Sequence, residues 1–186
     1  LFKNNTMTFV AGSSWQPDED LFIEYFNQHP EVKLVIAPHV IDENHLVEII
    51  RKLKRPYVRY TRADEKNVRK ADCLIIDCFG LLSSIYRYGE IAYIGGGFGV
   101  GIHNTLEAAV YGIPVIFGPK YQKFQEAIQL LEAKGAFSVK DYEELKTLLD
   151  RMLTDEVFLR ESGMNASNYV TGNAGATDKI MSMINF

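Results

Sequence analysis

Five glycines fall within seven residues, at Gly95, Gly96, Gly97, Gly99 and Gly101, and His103, Asn104 and Glu107 follow them. Such density costs backbone entropy and is used where a ligand or another backbone must come close. The apolar run Ile91 to Ile94 precedes the loop, and Asn104 to Tyr111 reads as the helix that follows it. The unpaired N–H groups and positive dipole end of a helix N-terminus suit an anion such as phosphate. The loop is not a dinucleotide fingerprint, since glycines at 97 and 99 require a third where Ile102 stands, and there is no GxxxxGK[ST] segment. Asn104 and Glu107 also have the spacing of a capping box, in which both side chains satisfy their own helix. Alternatively, Glu107 could accept bonds from a ribose diol, and His103 could donate a charge-assisted bond to a phosphate.

Other candidates read more plainly. Asp18-Glu19-Asp20 has the D-x-D form of a metal-dependent sugar-nucleotide site, but it opens a helix after Pro17, where acids favour the dipole. The metal reading is therefore set aside. Cys73 and Cys78 flank a strand and read as small buried hydrophobes, too few for a disulfide scaffold or a zinc site. His29 and His45 read as surface residues, and Asp77 as a cap on the turn after its strand.

The elements that must position these residues alternate between short apolar runs and helical patterns. Strands are expected at Met7 to Ala11, Lys33 to Ala37, Tyr57 to Tyr60, Cys73 to Asp77, Ile91 to Ile94, Pro114 to Phe117 and Ala136 to Val139. Helices are expected from Pro17, over Asp42 to Leu53, Asn104 to Tyr111 and Tyr121 to Ala133, with one or two turns at Ser83 to Tyr88. Leu145, Leu148, Leu149 and Met152 mark an amphipathic helix, and two more helical stretches follow, split near Gly172 to Gly175. Continuous apolar strands alternating with helices indicate an α/β fold, a Rossmann-like parallel sheet with helices on both faces. In such sheets ligands bind beyond the strand C-termini, where strand order reverses. That rule selects Gly12-Ser13-Ser14, Pro38-His39, Asp77 to Gly80, Gly95 to Asn104, and Gly118 to Lys120.

With 186 residues and no linker-like tract, residues 1–186 read as a single domain, and the absence of an initiator Met suggests a piece of a longer chain. No apolar run approaches the ~18 residues that span a bilayer, so the segment is expected to be soluble. The formal charge is −4, yet Arg51 to Lys70 alone carries +7 against −11 for the remainder. This window reads as a solvated surface or as a cationic rim for an anionic ligand or membrane. Nucleic acid is disfavoured by the acidic balance.

The segment GGGFGVGIHNTLEAA (95–109), followed by YGIPVIFGP (111–119), resembles the lipid A Kdo transferases (3-deoxy-D-manno-octulosonic acid transferases). LIIDCFG (74–80), the Gly12-Ser13 turn and KFQE (123–126) are similar to further segments of that family, so the likeness runs from about Val10 to Gly135. Ala37-Pro38-His39-Val40 stands where the family has an arginine before the histidine, Leu81 where it has Glu, Thr105 where it has Pro and Lys123 where it has Asn. The resemblance implies the C-terminal, donor-binding half of a GT-B glycosyltransferase, with CMP-Kdo as donor and a lipid A precursor as acceptor. It implies donor contacts at Ser13, His39, Phe79, Gly80, Gly96, Gly97, His103, Asn104 and Glu107, with no metal or other cofactor. The loop would face the phosphate, Glu107 the ribose, and Phe79-Gly80 the cytosine. The catalytic base and membrane anchor would lie in an N-terminal domain outside this sequence, at the cytoplasmic face of the bacterial inner membrane. A GT-B relative using a UDP-sugar, as transferase or 2-epimerase, and a non-catalytic nucleotide- or protein-binding module remain the alternatives.

Overall fold

The structure, a computed structural model, describes residues 1–173. Seven strands, β1 (Met7–Ser14), β2 (Val32–Pro38), β3 (Tyr57–Arg59), β4 (Cys73–Ile75), β5 (Ile91–Ile94), β6 (Val115–Phe117) and β7 (Ala136–Ser138), form one sheet. Its order is β3-β4-β2-β1-β5-β6-β7, and every pairing is parallel. From β1 the chain steps to β2, then to β3 at the edge and back to β4 between them, and crosses β1 between β4 and β5 to build outward on the other side. Strand order therefore reverses beside β1 and β5.

Alternation along the strands divides the core in two. Phe9, Leu34, Ile36, Ile75 and Tyr93 pack on one face with Phe22 and Phe26 of α1 (Gln16–Gln28), Leu46 and Ile49 of α2 (Glu43–Lys52) and Leu145, Leu149 and Met152 of α7 (Tyr142–Thr154). Val10, Val35, Ile94 and Val115 face the other core, which α5 (Leu106–Ala109), α6 (Gln125–Glu132) and α8 (Glu156–Asn173) cover. Asp42 accepts the N–H groups of Asn44 and His45, and Asp141 that of Glu144, so α2 and α7 start where side-chain caps are available.

Several expected boundaries move. The helix after the glycine loop has four residues instead of the stretch Asn104 to Tyr111. It tightens because Gly112, at φ +70°, turns the chain against α8, where a Cβ on Gly163 would lie 2.2 Å from the Gly112 oxygen. The next helix begins at Gln125, because Phe124 is extended and packs beneath Gly101 while Tyr121 packs on Phe117. A charged helix, α3 (Glu65–Lys70), was not expected, since Val68 is its one apolar side chain. The turns foreseen at Ser83 to Tyr88 are present as α4 (Leu82–Ile85) and a 3₁₀ turn, Tyr86–Tyr88. A single helix runs to Asn173, and the stretch expected beyond Gly172 to Gly175 lies outside the described residues.

The basic window divides by function in the fold. Arg55 Nη1 donates to the carbonyls of Phe26, His29 and Val32, each at 2.9 Å, and Nη2 to that of Pro30. Its guanidinium also lies 4.0 Å from the Phe26 ring centroid. Arg59 pairs with Asp77 and Glu43, and Lys52 with Asp20. Arg62, Lys66, Arg69 and Lys70 remain exposed along the segment from β3 to α3, and Arg51 and Lys54 are exposed at the end of α2.

Candidate functional site at the strand-order reversal

The loops that leave β1 and β5 are clamped together by one carboxylate. Asp18, in the first turn of α1, is 1% exposed. Its Oδ1 accepts from the Tyr93 hydroxyl at 2.9 Å, and its Oδ2 from the backbone N–H of Gly96 at 2.9 Å and of Trp15 at 3.0 Å. Burial pushes the Asp18 carboxyl up, against the pull of these three donated bonds. Glu19 beside it accepts from Ser14 Oγ and pairs with His45 Nε2 at 3.0 Å, while burial pushes its carboxyl up as well. The acids that open α1 therefore do more than favour its dipole, and Asp18 and Asp20 serve separate partners.

His45 is accordingly half-buried rather than free at the surface. His29 is half-buried too, its ring stacked on Tyr25 with centroids 3.8 Å apart. Asp77 does not cap its own turn; it accepts from Arg59 Nε and from the N–H and hydroxyl of Thr61. Burial alone would raise that carboxyl, but these bonds hold it below the usual range.

The glycines are explained by close backbone approach. A Cβ on Gly95 would lie 2.3 Å from the Ser13 oxygen, and one on Gly97 2.6 Å from Gly118. Gly96 and Gly101 sit at φ +94° and +122°, where side chains are strained. The N–H of Gly96 is engaged by Asp18, whereas those of Gly97 and Phe98 donate to no partner among the described residues. Both therefore stand as candidate donors to an anion. Asn104 Oδ1 accepts from the Leu106 N–H, and its amide nitrogen lies 3.2 Å from Glu107 Oε1. This is a variant of the expected capping box, with the two side chains bonded to each other.

Ser13, His39, Phe79 and Gly80 line one cleft of about 250 Å³, together with Pro38, Ile76 and Cys78. Phe79 is 82% exposed, so its ring is free to meet a planar ligand. His39 links this cleft to the glycine loop by stacking on His103 with centroids 4.4 Å apart. Burial, and then the neighbouring His39, push the His103 imidazole below its ordinary range. Glu107 lies near Tyr86, whose hydroxyl occupies the space a Cβ on Gly12 would need. The fold thus gathers Ser13, His39, Phe79, Gly80 and His103 directly, with Gly96 and Gly97 in the adjoining loop and Asn104 and Glu107 at its far end.

Trp15 and Asp18 complete this arrangement: Asp18 stands out in the sequence only through the D-x-D reading set aside above, and no motif points to Trp15. The one available signal is a lone tryptophan directly after the Gly12-Ser13-Ser14 turn. Among the described residues, no group of three or more His, Cys, Asp or Glu is placed to hold a metal ion, and no helix is long and apolar enough to cross a membrane.

Comparison with known proteins follows the same lines. The chain is 34% identical over 151 residues to a 3-deoxy-D-manno-octulosonic acid transferase of Aquifex aeolicus (strain VF5), covering 78% of this chain and 41% of that protein. It is 32% identical over 190 residues to the corresponding transferase of Rickettsia felis, covering 97% of this chain and 40% of that protein. The chain thus spans about two-fifths of the length of these curated relatives. The crystal structure of the C-terminal CMP-Kdo binding domain of WaaA from Acinetobacter baumannii superposes with a TM-score of 0.78 at 19% identity, covering 90% of each chain. No family profile matches the chain. In sequence the chain is a relative of the 3-deoxy-D-manno-octulosonic acid transferases, and its seven-stranded parallel sheet has the fold of the C-terminal domains of GT-B glycosyltransferases.

Proposed function

We propose that this chain is the donor-binding domain of a glycosyltransferase that moves Kdo from CMP-Kdo to a lipid A precursor. The observation that carries this reading is the convergence of three strand ends and the Gly95–Gly101 loop at the strand-order reversal, around the cleft of Ser13, His39, Phe79 and Gly80. In this reading the cytosine lies along Phe79 and Gly80, and Glu107 accepts from the ribose hydroxyls. The N–H groups of Gly97 and Phe98, with the His39–His103 pair, meet the phosphate. Charge that develops on the departing CMP is then stabilised by preorganised donors. The base that activates the acceptor belongs to an N-terminal domain, and the complete enzyme works at the cytoplasmic face of the bacterial inner membrane. The exposed cations of the segment from β3 to α3 face either that membrane or the partner domain.

A heteronuclear NMR titration of the chain with CMP, against UMP and UDP, tests the reading. The expected outcome is weak binding that favours CMP, with shifts clustered at Gly95 to Glu107 and at Phe79-Gly80, and no transfer activity from the chain alone. Preference for the uridine nucleotides would replace CMP-Kdo by a UDP-sugar. No binding at millimolar nucleotide would favour a structural role for the loop.

A further inference from the structure

Trp15 is the one tryptophan of the chain and belongs to none of the motifs above. Its indole Nε1 lies 3.4 Å from His103 Nε2. An indole N–H can only donate, so Nε2 of His103 must be the accepting, unprotonated nitrogen. In the neutral ring the proton then sits on Nδ1, which becomes its sole donor. Free imidazole side chains in water favour the opposite tautomer, so this one needs a partner to select it. Burial and the stacked His39 ring disfavour the doubly protonated form, which would remove the acceptor.

Trp15 is itself held from two sides. Its backbone N–H donates to Asp18 Oδ2, which also takes the N–H of Gly96, and its ring stacks on His39 with centroids 4.6 Å apart and planes 26° apart. One buried carboxylate thus sets both the indole and the start of the glycine loop whose far end carries His103.

We infer that Trp15 is a positioning residue that holds His103 as the Nδ1–H tautomer, leaving that N–H as the ring's donor to an anionic group of the ligand. The identity of the ligand as a nucleotide phosphate rests on the donor-binding function proposed above, whereas the tautomer stands on the indole–imidazole contact alone.

Long-range 1H–15N correlation spectra of the 15N-labelled chain, recorded at about pH 8 where unperturbed imidazoles are neutral, read the tautomer directly. In the unaltered chain Nδ1 of His103 is expected to carry the proton. Trp15→Phe keeps an aromatic ring for the stack but removes the donor, and should move the proton to Nε2. CMP affinity should fall about three- to tenfold in that variant, as expected for one displaced hydrogen bond. Backbone shifts of distant core residues such as Leu149 report that the fold is kept. A proton on Nε2 in the unaltered chain overturns the proposal, as does an Nδ1–H that persists in Trp15→Phe. Unchanged CMP affinity after the proton has moved overturns the role toward the ligand. If the tautomer reverses as expected but neither chain binds any nucleotide, the donor-binding function falls and the Trp15 device stands.

Discussion

The glycine loop at 95–101 and the basic window at 51–70 are the two most conspicuous stretches of this sequence, and the fold treats them in opposite ways. In the loop, most of the unusual residues meet something close: Gly95 lies on Ser13, Gly97 on Gly118, and Gly101 on Phe124. Gly99 is the exception: a Cβ there would meet only the Gly96 oxygen, at an unstrained 3.8 Å. In the window, Lys52, Arg55 and Arg59 are committed to internal partners, while six cations stay exposed. A glycine cluster can thus be required nearly residue by residue, because a backbone contact leaves no room for a Cβ. A charge cluster is an average, because long side chains find partners or water individually.

The largest test of that contrast lies inside the loop. Gly95→Ala is expected to cost about 3 kcal/mol or more, or to prevent folding, because its Cβ would collide with the Ser13 backbone. Gly99→Ala should stay within about 0.5 kcal/mol, in line with an open surface position. Urea denaturation of the two variants decides the matter, and equal losses would mean that glycine content matters there only through chain entropy.

A smaller effect is expected within the window. Arg55→Ala removes the donor to four carbonyls and the contact with Phe26, and should cost about 2–4 kcal/mol. Lys66→Ala or Arg69→Ala should be nearly neutral, within about 0.5 kcal/mol. If all three behaved alike, the division between internal and exposed cations would be wrong.

The smallest effect separates the two regions by pH. The window contains no histidine, whereas the loop runs into His103, whose ring is disfavoured as a cation by burial and by His39. With its folded pKa below the unfolded value of 6.5, the unfolded chain binds more protons, so stability falls as pH drops below that value. His103→Gln should therefore reduce the loss in thermal midpoint between pH 7 and pH 5 measured by calorimetry. An unchanged acid loss would show that other groups dominate it.

Much of the scaffold was legible because its signals are local. The run from Lys33 to Ala37 reads as a buried strand stopped by Pro38, and Leu145, Leu148, Leu149 and Met152 mark α7 by their spacing. The glycine loop and the four other strand-end loops were legible for the same reason. Helix α3 was missed because one apolar residue gives no periodicity, and the early end of α5 because it depends on α8 packing against Gly112. Asp77 and His45 were misread because their partners come from other elements, Arg59 and Thr61 in one case and Glu19 in the other.

The amino-acid sequence by itself determined a parallel α/β domain with an anion-suited glycine loop, since apolar runs, caps and glycines act through neighbours along the chain. Only the tertiary structure decided which groups near that loop are free and which are spent. Asp18 meets Gly96 across 78 residues, and Trp15 meets His103 across 88. Contacts at such separations are set when the sheet brings β1 and β5 side by side, and no local pattern encodes them.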